Sequence, residues 1–422
     1  MEWKEFTLDN GIGVIYKNLK EFYSVCVGVW VRIGSRFEDE KISGISHFIE
    51  HLLFKGTKKR TYREIKESVE GVGGSFNGFT SEEVTCYWIK ILKDYFEIPF
   101  DVLSDMVQNP LFKENDIERE RMVIIEEINM YRDLPSRYVH ELFDEIVFHG
   151  HPLGRPISGR IESVKNIKRE DLLDFLQKNY TAENIVLSIC GNFEEDDLKR
   201  YSEKYFGSIR KSGKENEFIE FKNRSEKRLK VLYKETEQCH FCLGGLTFSR
   251  FDKRKYALQV LNIILGGNMS SRLFNEVREK RGLAYDIKSY VKFYQDTGNF
   301  VISAGVAPSK ITEALKVIKN ELIKIREKGV KKKEIEMAKK FLISQFLMVF
   351  EDNLEYMMYL GEEKLLKKKP SSIKETVESI KKVNKDDVEN VARDILNNEN
   401  LYICLIGPVK KEEDIEEILE IS

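Results

Sequence analysis

"ESVKNIKREDL", residues 162–172, and "ESIKKVNKDDV", residues 378–388, are two versions of one stretch within a single chain. Beyond each, a helix-like segment leads to an apolar run that ends near a glycine: "NIVLSICGNF" at 184–193 and "NLYICLIGPV" at 400–409. The pattern predicts an amphipathic helix followed by a buried strand in both places. Recurrence of the same unit so far along the chain indicates an internal duplication.

The duplication extends toward the beginning of each half. "GSRFE" at 34–38 resembles "FSRFD" at 248–252, and "DIER" at 116–119 resembles "EIEM" at 334–337. The separation between matching segments drifts by a few residues along the chain, which is what small insertions in surface loops produce. The whole chain therefore reads as two related halves.

The halves define the expected domains. We predict a first domain at 1–209, a polar and charged linker at 210–227, and a homologous second domain at 228–422. Each half mixes alternating strands with long amphipathic helices, so the predicted class is α+β. We expect two homologous α/β rolls, each a mixed or antiparallel sheet with helices packed on it.

Composition restricts the partners and the compartment. The 422 residues carry 69 Lys and Arg against 71 Asp and Glu, so we expect no electrostatic binding to nucleic acid or to a membrane surface. Residues 1–20 lack the apolar core of a signal peptide. The six cysteines are scattered along the chain, which favours a reducing compartment over a disulfide scaffold. We therefore expect a cytoplasmic protein.

"ISHFIEHLLFKGT", residues 45–57, carries the strongest chemical signal. His47 and His51 are four residues apart, so a helix places both imidazoles on one face, as two ligands of one Zn²⁺ require. Glu50 borders that face and is placed to take a proton from an attacking water. The order H-x-x-E-H inverts the better-known H-E-x-x-H and keeps the same histidine spacing.

A catalytic zinc needs a third protein ligand and an open fourth position. The helix-like stretch "ENDIERERMVIIEEINMY" at 114–131 supplies carboxylates among apolar residues. Glu120 and Glu127 are seven residues apart, hence nearly on one face of a helix. The stretch therefore offers candidates for the third ligand.

The second half of the chain serves as an internal control for these polar residues. Its matching positions are apolar or poorly ligating, namely Leu261, Ile264, Leu265, Ala338 and Gln345. A structural role shared by both halves would not predict this replacement, whereas a site used by the first half alone does. We therefore predict that the domain at 1–209 binds the metal and that the domain at 228–422 does not.

Taken in order, the motifs resemble those of the inverted-zincin peptidases, the family of pitrilysin, insulin-degrading enzyme and mitochondrial processing peptidase. "HFIEH" at 47–51 is similar to the family's metal helix, and "ERMVIIEE" at 120–127 to its E-R-x₅-E segment. The resemblance implies one Zn²⁺ per chain and a metal site formed by His47, Glu50, His51, Glu120 and Glu127.

Within that site the resemblance assigns a role to each residue. His47, His51 and Glu127 would be the ligands, Glu50 the general base and Glu120 a second catalytic carboxylate. Glu126 is a rival ligand because it adjoins Glu127. It lies about 120° from Glu120 around a helix, which favours Glu127.

Two further segments resemble the family's substrate-binding parts. "GGSFNGFTSEEVTCYW" at 73–88 is similar to an edge strand to which the substrate adds as an extra strand. The resemblance implies that Asn77, Gly78 and Phe79 lie beside the cleavage point. "GGNMSSRLFNEVREKRGLAY" at 266–285 is similar to a second-half signature. It implies that Arg278 and Tyr285 hold the substrate carbonyl and stabilise the oxyanion.

The expected function is zinc-dependent endopeptidase activity on unstructured peptides or protein segments in a closed chamber. The largest relatives hold four such domains in one chain, so two domains imply a homodimer, or a heterodimer with a related subunit. In that dimer Arg278 and Tyr285 of one protomer would face the zinc of the other. The alternative is a non-catalytic, peptide-binding or chamber-forming subunit of a processing peptidase complex. The intact H-x-x-E-H argues against it.

Overall fold

The computed structural model describes residues 3–223, 227–367 and 370–409, together with Ile415 and Glu420. Residues 224–226 of the predicted linker and most of the segment after 409 lie outside the described residues. The chain forms two compact units, each made of three segments. The first consists of Met1–Ile128, Arg155–Ile219 and Leu347–Ile373, and the second of Asn129–Gly154, Glu220–Phe346 and Lys374–Ser422. Each unit thus contains a segment from the other half of the chain.

The strands divide between the two units. Those of the first are β1 (Lys4–Thr7), β2 (Gly13–Asn18), β3 (Ser24–Val31), β4 (Ser75–Thr80), β5 (Thr85–Leu92) and β6 (Ile185–Gly191). Those of the second are β7 (Leu229–Tyr233), β8 (Cys239–Thr247), β9 (Ala284–Phe293), β10 (Gly298–Val306) and β11 (Tyr402–Gly407).

The helices are described by the half of the chain in which they lie. In the first half they are α1 (Ile45–Leu53), α2 (Tyr62–Glu70), α3 (Glu97–Gln108), α4 (Glu114–Asp133), α5 (Pro135–Val147), α6 (Ile161–Asn166), α7 (Arg169–Asn179) and α8 (Glu195–Phe206). In the second half they are α9 (Lys255–Leu265), α10 (Ile311–Lys328), α11 (Lys332–Met348), α12 (Asn353–Lys367), α13 (Ile373–Lys382) and α14 (Lys385–Ile395).

The two sheets have the same topology. The first has the order β1-β2-β6-β3-β5-β4 and the second the order β7-β11-β8-β10-β9. Each sheet contains one parallel pair, β2 with β6 in the first sheet and β7 with β11 in the second, and the other corresponding pairs are antiparallel. Apart from β1, the sheets therefore correspond strand for strand. The predicted α+β class with two duplicated α/β rolls is confirmed.

Strand alternation gives the first sheet two buried faces. The odd-numbered valines of β3 lie in a large core with α1, α3, α7 and α8, whereas Trp30 of the same strand lies on the other face with α12. Glycines let α12 approach closely, because a Cβ at Gly361 would lie 2.0 Å from the Trp30 indole nitrogen. A Cβ at Gly28 would likewise lie 2.4 Å from Sδ of Met357. In the second unit α5 packs on β8 and β11 in the corresponding place.

Among the described residues, no helix combines the length and the apolar character needed to cross a membrane.

Candidate metal centre

Helix α1, which carries His47 and His51, is fixed at its first turn. Gly44, which precedes it, has φ 94°, a conformation that favours glycine, and a Cβ there would lie 2.5 Å from the carbonyl oxygen of Ser158. The buried carboxylate of Glu38 accepts hydrogen bonds from the amides of Gly44 (2.7 Å) and Ser46 (2.9 Å). A carboxylate at a helix N-terminus accepts hydrogen bonds from amides that have no partner within the helix, and the helix dipole favours its negative charge. The remaining turns are held by their buried apolar residues, Ile45, Phe48, Ile49, Leu52 and Leu53.

His47, His51 and Glu127 come together. Oε2 of Glu127 lies 3.7 Å from Nε2 of His47 and 3.7 Å from Nε2 of His51. One ligand atom of each lies within 4.8 Å of the other two. Two ligands of a tetrahedral zinc at ordinary bond lengths lie about 3.4 Å apart, so little movement would be needed to close around an ion. In the part of the chain that the structure describes, no other group of this kind occurs.

The protonation of the histidines suits metal binding. Burial, with a smaller contribution from His51, lowers the pKa of His47 to about 3, so its imidazole is neutral near pH 7. Nδ1 of His51 lies 3.2 Å from Oε2 of Glu120, and since an ionised carboxylate only accepts, the ring donates there and its Nε2 is left for a metal. Nδ1 of His47 is buried without a hydrogen-bond partner among the described residues.

Glu120 is held ionised by its neighbours. Burial raises the pKa of Glu120, but the hydrogen bonds from His51 and Lys55 outweigh it, so its pKa lies below the usual range. Nζ of Lys55 is 2.7 Å from Oε1 of Glu120. Glu120 therefore connects a metal-facing histidine to a cation, the arrangement that orients ligating imidazoles in metalloproteins.

Glu50 lies beside the histidines and bonds to β4. Its Oε2 accepts a hydrogen bond of 2.7 Å from Oγ1 of Thr80. Burial raises the pKa of Glu50, and the hydroxyl of Thr80 partly opposes this. The carboxylate is thus close to the three ligand candidates without being one of them.

The donor set fits a catalytic zinc. Two imidazoles and one carboxylate leave a fourth position for water or substrate, as catalytic sites require. Glu126 is exposed on α4, whereas Glu127 is partly buried against the histidines, so the geometry groups Glu127 with them. In the second unit the matching positions Leu261, Ile264 and Leu265 are buried core residues of α9.

The predicted substrate residues lie on an edge strand. β4 pairs with β5 and ends the first sheet within the described chain. Phe79 faces Trp30, with ring centroids 5.7 Å apart, whereas a Cβ at Gly78 would lie 3.3 Å from Cγ of Glu50. Of the three predicted residues, Gly78 is therefore the one next to Glu50. Oδ1 of Asn77, exposed on β4, accepts the Gly78 amide at 2.9 Å.

Arg278 and Tyr285 meet in the second unit. Arg278 lies in the short helical segment Phe274–Glu279, and its guanidinium carbon is 5.0 Å from the centroid of the Tyr285 ring. Tyr285 is the second residue of β9, the edge strand that corresponds to β4, and is 80% exposed. The structure brings this pair together. The other predicted site residues lie in the first unit.

Sequence reasoning missed two residues of this site. Lys55 stands one helical turn beyond His51, so the helical period contained a signal for it. Thr80 lay within the quoted 73–88 stretch without a role. Strand alternation places it on the face of Gly78, so the period of two contained a signal for it.

Two protein-family models and several known proteins are similar to this chain. The family model described as "Insulinase (Peptidase family M16)" matches residues 14–160, and that described as "Peptidase M16 inactive domain" matches residues 166–342. A Bacillus subtilis protein named an uncharacterized zinc protease is 36% identical over 405 residues, 96% of this chain and 98% of its own. A Streptomyces coelicolor protein with the same description is 35% identical over 413 residues, 96% of this chain and 90% of its own.

Solved structures show the same fold. A protease from Helicobacter pylori superposes with a TM-score of 0.90 at 23% identity, over 96% of this chain and 99% of that one. A Pseudomonas fluorescens structure described as a peptidase M16 inactive domain also gives 0.90, at 20% identity over 97% and 98% of the two chains. At these sequence identities, the similarity is evidence for a shared fold and for nothing further.

Proposed function

The chain belongs to the insulinase family of peptidases, peptidase family M16, and from this premise we propose that it is a zinc-dependent endopeptidase acting on unstructured peptides or protein segments in a closed chamber. The observation that carries the proposal is the meeting of His47, His51 and Glu127, with Glu50 beside them. The relatives named zinc proteases support the choice of metal.

In the proposed mechanism His47, His51 and Glu127 would hold one Zn²⁺ per chain. When bound, the ion supplies a Lewis acid that lowers the pKa of water and polarises a carbonyl. Glu50 takes the proton of the attacking water and later delivers it to the leaving amine. Glu120 fixes the orientation of His51.

The substrate would lie along β4. An extended peptide added to this edge gains main-chain hydrogen bonds that demand little of its sequence, which suits unstructured substrates in general. Asn77, Gly78 and Phe79 would flank the scissile bond. Folded proteins would be poor substrates because their chains are not free to add as a strand.

Arg278 and Tyr285 would stabilise the oxyanion from a second protomer. A cation and a phenol aimed at developing negative charge suit attack on an acyl carbon. The pairing of Arg278 with exposed Tyr285 supports a joint role. We therefore propose a homodimer, with a heterodimer with a related subunit as the alternative.

The dimer is tested by mixing two inactive variants, Glu50→Gln and Arg278→Ala. If the second protomer completes each site, random exchange leaves one intact site in each mixed dimer, and roughly a quarter of wild-type activity should return. The control mixes Glu50→Gln with Glu127→Ala, whose defects both lie in the first unit, and should stay inactive. A wild-type protein that is monomeric and fully active would rule the shared site out.

Removal of metal tests the function itself. We expect a chelator to abolish hydrolysis of a quenched peptide pool and added Zn²⁺ to restore it. The melting temperature should fall in parallel, because an ion that binds only the folded state stabilises it. Full hydrolysis after complete metal removal would contradict the proposal. Zinc binding without hydrolysis of any peptide would favour the non-catalytic subunit.

The compartment remains a proposal as well. The six cysteines are free and buried, which agrees with the expectation of a reducing cytoplasm. Peptides are the partners proposed here, with no nucleic acid and no membrane among them.

A further inference from the structure

We propose that Thr80 is a positioning residue for Glu50 and that it ties the general base to the edge strand on which the substrate is expected to lie. The inference rests on the proposed function. It adds a residue to the site that neither the sequence patterns nor the family likeness assigned.

The contact is short and has a defined direction. Oγ1 of Thr80 donates a hydrogen bond of 2.7 Å to Oε2 of Glu50, and the backbone of Thr80 also hydrogen-bonds to this carboxyl group. A hydrogen bond to a charged group is stronger than one between neutral groups. A glutamate side chain has several rotatable bonds. A hydrogen bond to its carboxylate restricts these bonds in advance, so less conformational entropy is lost when the base takes its reactive position.

Thr80 is itself held firmly. It ends β4, opposite Thr85 of β5, and a tight turn follows in which the amide of Ser81 bonds to the carbonyl of Val84 at 2.8 Å. The carbonyl of Ser81 also accepts the amide of Ser35 at 3.2 Å. A β-branched side chain has few rotamers, so the backbone largely decides where its hydroxyl points.

The neighbouring residues leave this role to Thr80. Gly78 lies on the same face of β4, and a Cβ there would lie 3.3 Å from Cγ of Glu50, so the glycine makes room for the glutamate to pass. The hydroxyls of Tyr87 and Tyr180 are also near Glu50, but they lie 2.9 Å apart and hydrogen-bond to each other. β4 thus lies at the edge of the sheet, where a peptide would pair with it, and Gly78 and Thr80 on one of its faces lie next to Glu50.

The kinetic test compares two variants of Thr80. Thr80→Val keeps the shape of the side chain and removes its hydroxyl, whereas Thr80→Ser keeps the hydroxyl. We expect Thr80→Val to lower kcat about 10- to 100-fold with KM changed less than about threefold, since a misplaced base impairs the reaction step more than binding. Thr80→Ser should restore kcat to within about threefold of wild type, and bound zinc should be unchanged in both. A Thr80→Val enzyme with wild-type kcat would overturn the proposal.

Thr85→Val is the matched control. Thr85 is a buried threonine of the same hairpin, and its hydroxyl bonds to the carbonyl of Ile33 at 2.8 Å instead of to a catalytic group. Its loss should lower the melting temperature without the selective fall in kcat. If Thr85→Val and Thr80→Val change kcat equally, the effect belongs to the hairpin and the positioning role is wrong.

A second measurement needs no hydrolysis and no metal. In the metal-free protein at pH 8, Thr80→Val should lower the melting temperature by about 2–4 °C, since it removes the hydroxyl donor from a partly buried carboxylate and leaves the hydrogen bond from the Thr80 backbone in place. In a Glu50→Ala background the same substitution should cost less than half as much. Equal shifts in both backgrounds would show that the two side chains are not coupled, and the proposal would be wrong. A wild type that hydrolyses no peptide would instead overturn the proposed function, and with it the role of Thr80.

Discussion

We expect Glu50→Gln to bind zinc as wild type does and to hydrolyse peptides at least about 10³-fold more slowly. The substitution keeps the length and shape of the side chain, and its amide oxygen can still accept the hydroxyl of Thr80. What it removes is the capacity to take a proton. Because Glu50 is not among the three ligand candidates, the metal site should stay intact. Bound zinc by elemental analysis and kcat on a quenched peptide separate the two properties.

The matched control is Glu126→Gln. Glu126 is an exposed glutamate on α4, outside the cluster, so the same chemical change should leave both zinc and kcat at wild-type values. A Glu50→Gln enzyme with full activity would remove Glu50 from the mechanism. Loss of zinc together with activity would mean that Glu50 supports the metal rather than the proton transfer.

The second large effect concerns the third ligand. We expect Glu127→Ala to reduce bound zinc from about one per chain to below about 0.1 after dialysis, with hydrolysis lost in the same proportion. Only two imidazoles would remain, and two ligands hold the ion far more weakly than three. The reason for choosing Glu127 is its 3.7 Å distance to Nε2 of both histidines.

Glu126→Ala again provides the comparison, because it removes an adjacent carboxylate from the same helix. It should retain zinc and activity, since Glu126 faces solvent. The opposite pattern, with zinc lost in Glu126→Ala and kept in Glu127→Ala, would mean that α4 turns on binding the ion and that the rival ligand is correct. Both variants should melt near the wild type without metal, so a folding defect can be recognised.

Much of the centre could be predicted because helices impose their period locally. Residues four apart on a helix share a face, so the sequence alone predicts that His47 and His51 lie together on α1. The same 100° step separated Glu127 from Glu126 on α4. The duplication predicted two related sheets because each half repeats the same order of strands and helices, and the sheet orders agree with it.

Other contacts depend on tertiary packing that a sequence pattern does not contain. Amphipathic periodicity shows that α12 buries one face, but not that this face meets Trp30 of the first half of the chain. The contact between Thr80 and Glu50 joins a strand to a helix, so its distance follows from how the two elements pack. Strand alternation predicts which face of β4 carries Thr80, but it does not predict that Thr80 contacts Glu50.

The reciprocal exchange of Asn129–Gly154 and Leu347–Ile373 between the units has a consequence for synthesis on the ribosome. One face of the first sheet is covered by Tyr356, Met357, Leu360, Leu365 and Leu366 of α12. While the chain is emerging from its N-terminus, that face has no cover until most of the protein has been translated. The unit with the candidate metal ligands therefore completes its folding late, and an N-terminal fragment that ends near the middle of the chain would expose an apolar sheet prone to aggregation.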